Sequence, residues 1–240
     1  MESSKEWAER AEAWLTRDHA LLTEMDGWRT LKAPGDIGLW RRPMPDDPND
    51  LFRWRLPTVG APAEVVFEGF VHQILEYHKE WTREFVGGRV VETLAPHARI
   101  LYQRFEPGVP GVAPRDLCSI EVLRDVAPGV KLASFRSVDA LPPEPGCERI
   151  DWWGAALCRT LDDGARSELV YLDRENQGGR FPTWLMNRVM PRYLIVQAEQ
   201  VRRFFANGGP PPAQGSARRA LTVCSRGSRW SSRRLPWCYS

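Results

Sequence analysis

The side chains in this sequence that could do chemistry are scattered, and their spacing argues against most reactions. His72 and His78 stand six residues apart, without the HExxH spacing that puts two imidazoles on one helix face, so no metal site is expected. Five cysteines, Cys118, Cys147, Cys158, Cys224 and Cys238, are odd in number and include no CxxC pair. That pattern points away from a zinc centre or a disulfide framework and toward a reducing compartment. The sequence holds no GxSxG, no GxxxxGK[ST], and no GxGxxG leading from a strand into a helix. Without a nucleophile–base constellation or a cofactor fingerprint, neither catalysis nor a cofactor is expected.

The chemistry that remains is recognition. Eleven tryptophans are many for 240 residues, and large rings with a polar edge suit interiors and ligand walls. Trp81, Trp152, Trp153 and Tyr171 could form a cage for a quaternary ammonium group, although core packing is the commoner use of such rings. Arg115-Asp116 reads as a charged pair at a turn that fixes the strand entering the sheet.

These residues need elements to place them. Ser3-x-x-Glu6 forms a capping box, and Trp7, Ala11 and Trp14 recur at helical spacing, which predicts a helix over residues 4–24. Strands follow at Trp28–Lys32, Ile37–Arg41 and Leu51–Leu56, separated by turns that contain Pro34-Gly35 and Pro45-Asp46-Asp47-Pro48. Pro62 suits a first helical position, and Val65, Val66, Phe70 and Ile74 give that helix a buried face. A second short helix is predicted over His78–Val86, stopped by Gly87-Gly88.

Period two then takes over. It predicts strands at Arg89–Leu94, Ile100–Phe105, Asp116–Leu123, Val130–Ser137, Ile150–Thr160 and Ser167–Leu172, joined as an antiparallel meander. On the strand from Ile150, the parity set Ile150, Trp152, Gly154, Ala156 and Cys158 is assigned to the interior. The connection Glu106–Pro114 is a hydrophobic loop carrying Val109 and Val112. The last element is a helix from Pro182 to about Phe205, with Trp184, Leu185, Val189, Leu194, Ala198, Val201 and Phe205 near one face and a kink at Pro191. The fold class is therefore α+β: a helix-grip fold, with a curved antiparallel sheet wrapped around a long C-terminal helix and enclosing a hydrophobic cavity. Residues 1–208 form this single domain. Residues 209–240, rich in Gly, Pro, Ser and Arg, read as a disordered basic tail.

Charge supports that division. The net charge is +2, yet the tail alone holds six arginines and no acid, so the remaining body is mildly acidic. Such a body offers no basic face to a nucleic acid. The opening MESSKEWAER lacks a basic segment followed by an apolar one, and no apolar run approaches the ~20 residues of a membrane span, so a cytoplasmic monomer is expected.

Four segments resemble the START family (steroidogenic-acute-regulatory-protein-related lipid transfer). His78-Lys79-Glu80-Trp81-Thr82 followed by Arg89–Leu94 is similar to its "RxxWD … evVetL" stretch. Ile100–Phe105 is similar to "iiYqrf", Ala113–Leu117 to "sPRDf", and Gly178–Val189 to "GGxlPkWLvNxv". The resemblance spans about residues 5–207. It implies a non-enzymatic carrier that transfers one lipid, a phospholipid or a sterol, between membranes, touching the membrane surface transiently. A helix-grip enzyme of the polyketide cyclase or aromatase type, or a lipid-sensing regulatory module, is the alternative.

The resemblance also implies pocket positions. Phosphatidylcholine-binding members place an Arg and an Asp where this chain has His78 and Thr82. Sterol-binding members place an acid and an Arg where it has Gln103 and Glu121. Period two puts Cys118, Ile120 and Val122 inside, whereas the resemblance puts Glu121 there, where it needs a partner such as Arg104 or His78. The candidate pocket thus comprises His78, Trp81, Gln103, Glu121, Trp152, Gly154, Ala156, Tyr171, Trp184, Leu185 and Val189. Gly154 and Ala156 either leave room for a lipid tail or allow close packing. Val109 and Val112 would form a gate that dips into a membrane.

Overall fold

A computed structural model describes residues 4–109, 111–161, 164–179 and 181–210. The capping box at Ser3 and most of the basic tail lie outside the described residues. Helix α1 (Ser4–Thr23) precedes strands β1 (Arg29–Thr30), β2 (Gly38–Met44) and β3 (Asp47–Val59). A helical segment follows, with α2 (Ala63–Phe67), a π-helical turn (Glu68–His72), α3 (Ile74–Tyr77) and a 3-10 turn (His78–Glu80). Then come β4 (Phe85–Ala95), β5 (Ala98–Phe105), β6 (Arg115–Ala127), β7 (Val130–Ser137), β8 (Glu148–Arg149), β9 (Asp151–Thr160) and β10 (Ser167–Asn176), closed by α4 (Thr183–Ala206).

The strands form one antiparallel sheet in the order β1-β2-β3-β10-β9-β7-β6-β5-β4, with β8 alone adding in parallel to the start of β6. Side chains alternate between the two faces of a strand, so each strand feeds two cores. Phe52, Trp54 and Leu56 of β3, Ala156 and Cys158 of β9, and Leu169 and Tyr171 of β10 meet α2 and the inner face of α4. The opposite parity does not face water. Leu51, Ile120, Leu132, Trp153, Ala155, Leu157 and Leu172 pack with Ala11, Leu15 and Leu22 of α1. Asp18 of α1 is fully buried there and accepts hydrogen bonds from Arg136 (2.7 and 2.9 Å), Ser134 (2.5 Å) and Trp153 (3.0 Å). Arg53 closes the far end of α1 by donating to the carbonyls of Leu21 (2.9 Å) and Glu24 (2.8 Å).

Four expectations are corrected. The helix predicted over His78–Val86 is only the 3-10 turn, and Phe85 and Val86 already belong to β4. Gly87-Gly88 is not a helix stop but lies at an irregularity in the β4–β5 register, where a glycine lets two backbones approach closely. A methyl on Gly88 would meet the Tyr102 carbonyl oxygen at 2.5 Å. Strand β10 runs four residues past the predicted end at Leu172. In α4 the buried stripe is Met186, Met190, Leu194, Gln197, Ala198, Val201 and Phe205, so Trp184, Leu185 and Val189 are out of phase with it. Counting back in fours from Leu194 gives Met190 and Met186, which is the helical period.

Candidate functional site

Between the inner face of the sheet and the first half of α4 lies a cavity of about 240 Å³. Its ceiling is Met186, Val189, Met190, Tyr193 and Gln197 of α4. Gln197 is fixed by the indole N–H of Trp54 (3.2 Å), and Asn187 ties the helix to the start of β3 through the Asp50 N–H (3.0 Å) and the Pro48 carbonyl (3.0 Å). One wall is aromatic: Phe70, Trp81, Phe105, Trp152 and Tyr171. Phe70 sits against both Trp81 (5.2 Å between centroids) and Tyr171 (5.4 Å). Pro107 and Val112 of the loop between β5 and β6 also line the cavity.

Of the residues singled out from sequence, His78, Trp81, Gln103, Val112, Arg115, Trp152, Tyr171 and Val189 line this space. The imidazole Nδ1 of His78 donates to Gln103 Oε1 at 2.8 Å. Burial pushes the His78 pKa down to about 4, against a smaller opposing effect of that bond, so the ring is neutral near pH 7.

The other candidates lie elsewhere. Glu121 is fully buried on the inner face, but Arg99 holds it from Nε (2.8 Å) and Nη2 (3.2 Å) and also donates to the carbonyls of Val71 and His72. Glu121 therefore pins the π-helical turn to the sheet. Burial raises its pKa to about 7, with Arg99 opposing. Its partner is neither Arg104, which bonds to Glu106 and Glu144, nor His78. Arg99 is the residue directly across from Glu121 in the β5–β6 register, a neighbour that only the pairing reveals.

Gly154 makes room for a ring, since a methyl there would meet the Trp152 ring at 2.6 Å, and Trp152 stacks on Phe135. Ala156 is buried in the core beside them. Trp184 is 66% exposed and Val109 56%.

Arg115 and Asp116 are not paired with each other. Being adjacent on β6, they point to opposite faces. Asp116 takes a two-point bond from Arg149 (2.8 and 3.1 Å) and the Glu144 N–H (2.8 Å), while Arg115 enters the cavity wall and donates to the carbonyls of Gln177 (3.2 Å) and Ala113.

Sequence reasoning missed several wall residues, among them the acids Asp173 and Glu175. Extending the alternation Leu169, Tyr171 through Asp173 and Glu175 would have found these two. Burial raises both carboxyl pKa values; the charges of Asp173 and Glu84 raise that of Glu175 further and Arg115 lowers it, while the Trp152 N–H lowers that of Asp173.

A curved antiparallel sheet gripping a C-terminal helix, with a largely apolar chamber between them, defines the helix-grip class. The family model described as "START domain" matches residues 22–208, and the chain belongs to that family. Its fold is similar to that of human StAR-related lipid transfer protein 5, at 16% identity and a TM-score of 0.73 over 83% of this chain and 96% of that one. It is also similar to the lipid transfer and protein localization domain of human StarD13 (19%, 0.66, 85% and 98%). A third likeness is to a STAR-related lipid transfer protein fragment from Xanthomonas axonopodis (20%, 0.65, 75% and 99%). No curated protein sequence matches the chain.

Proposed function

We propose that this protein is a non-enzymatic carrier that holds one lipid in the cavity under α4 and moves it between membranes. The observation that carries the reading is the chamber itself: an aromatic and aliphatic wall roofed by one helix that few polar bonds hold down. Burying an acyl chain there gains roughly 0.8 kcal/mol per CH2, which drives loading without any chemistry. The names of the similar solved structures, lipid transfer proteins, support it.

At about 240 Å³ the cavity is smaller than the roughly 300–1,000 Å³ of typical small-molecule sites. Loading therefore requires α4 and the Glu106–Pro114 loop to part. Val109 and Val189, exposed on those two elements, are the apolar groups that would meet a membrane as they do so. No helix among the described residues is long and apolar enough to cross a membrane. Native mass spectrometry of the protein purified from cells tests the reading. A mass increment of one lipid per chain is expected; a chain that is always bare would overturn it.

A further inference from the structure

Asp173 and Glu175 are two apart on β10 and so share the inner face of the sheet, where both line the cavity. Asp173 Oδ1 accepts from Trp152 Nε1 at 2.8 Å, and Glu175 Oε1 accepts from Gln177. Glu84, just before β4, lines the same space. Against these three acids, Arg115 is the one guanidinium lining the cavity among the described residues, and two backbone carbonyls already engage it. His78, neutral near pH 7, adds no charge.

A second observation is independent of the acids. Thr82 lines the cavity, is only 4% exposed, and its hydroxyl oxygen makes no hydrogen bond of ordinary geometry, its polar neighbour being the Tyr193 hydroxyl of the same wall. A group entering the cavity can complete the hydrogen bonding of that hydroxyl.

We propose that the cavity takes an amphiphile whose head is a protonated amine, held by Asp173 and Glu175 with Thr82 as a further acceptor. An ammonium offers three donors and no acceptor, and this wall offers acceptors on β10 and on the turn before β4, with carboxyls that a bound cation would hold ionised. The rings of Trp152 and Tyr171 suit a cation beside them. An anionic head would face three acids, whose ionisation it would oppose, and one occupied guanidinium. The inference rests on the lipid-pocket reading and deepens it by naming the head group. It also gives the raised carboxyl pKa values a use, because a bound cation restores the ionised form.

The test uses the full chain at pH 7 and three submicellar probes, dodecylamine, dodecanol and dodecanoate, with binding followed by tryptophan fluorescence. Dodecylamine, protonated at this pH, should bind at least about tenfold more tightly than the other two, the scale of one charge-assisted hydrogen bond gained. The double variant Asp173→Asn/Glu175→Gln should erase that preference while leaving dodecanol binding within about twofold, which also shows that it folds. Equal or weaker binding of the amine in the unmodified protein, or a preference that survives the double variant, overturns the amine assignment alone. Failure of all three probes to bind overturns the lipid pocket itself.

If the double variant does not fold, the unmodified protein decides through pH. The groups facing the pair are Glu84, Arg115, His78, Tyr171 and Tyr193. Lowering the pH toward 5 protonates the carboxyls, so the amine preference must shrink. A preference that holds or grows sinks the proposal.

Discussion

His78 and Gln103 come from a turn and a strand 25 residues apart, and meet at 2.8 Å in the wall of the cavity. The resemblance to the family puts an Arg at the first position in some members and an acid at the second in others. Here the two positions form one neutral hydrogen bond, which carries no charge to strip of water. The arrangement sets a pH response. The folded pKa of His78, about 4, is below the ordinary 6.5, so below pH 6.5 the unfolded chain binds the proton more readily. Stability is therefore undiminished above 6.5 and is lost as the pH falls toward 4. Denaturant titrations should show a loss of at most about 2 kcal/mol between pH 7 and pH 5 that the variant His78→Gln does not share. An identical loss in that variant would assign it to other groups. His78 was legible as a pocket residue only through the motif; its bond to Gln103 was not, because partners across a fold carry no mark in the sequence.

At the scale of elements, the sequence displayed where strands lie better than where they end. Strands β5 and β7 ended within two residues of their predicted limits, whereas β3, β6 and β10, which also have neighbours on both edges, run three or four residues further. The stretch around Gly87-Gly88 misled because a glycine pair reads alike as a helix stop or as a strand irregularity. The tertiary contact decides: Gly88 lies under the Tyr102 carbonyl and the Leu75 side chain. Gly88→Ala should destabilise the protein by about 1–3 kcal/mol in urea unfolding, the usual cost of overpacking, whereas a helix-terminal glycine would give a smaller change. The phase of α4 was misjudged in its first half for a related reason. Trp184, Leu185 and Val189 are apolar, but Met186 and Met190 are the residues in step with Leu194.

For the whole molecule, the consequential feature is that the sheet has two cores. Helix α1 lies almost entirely before the matched family region of residues 22–208, yet it covers the outer face of β6, β7, β9 and β10. Ala11, Leu15 and Leu22 are buried there, and Asp18 satisfies Arg136, Ser134 and Trp153. Each large apolar side chain so buried contributes roughly 1.5–3 kcal/mol, and the sheet face beneath contributes as well, against a typical total of 5–15 kcal/mol. A chain beginning at residue 24 should lose cooperative unfolding and bind a hydrophobic dye strongly; an unchanged denaturation curve would show that α1 is dispensable. The sequence by itself determined the fold class, most of the elements and the family, because periodicity, turn residues and short motifs are local and survive in one dimension. Only the tertiary structure decided which polar groups the cavity presents. Asp173, Glu175 and Thr82 became its polar wall, and Glu121 was claimed by Arg99, because strand register and the depth of burial are properties of neighbours brought together by folding.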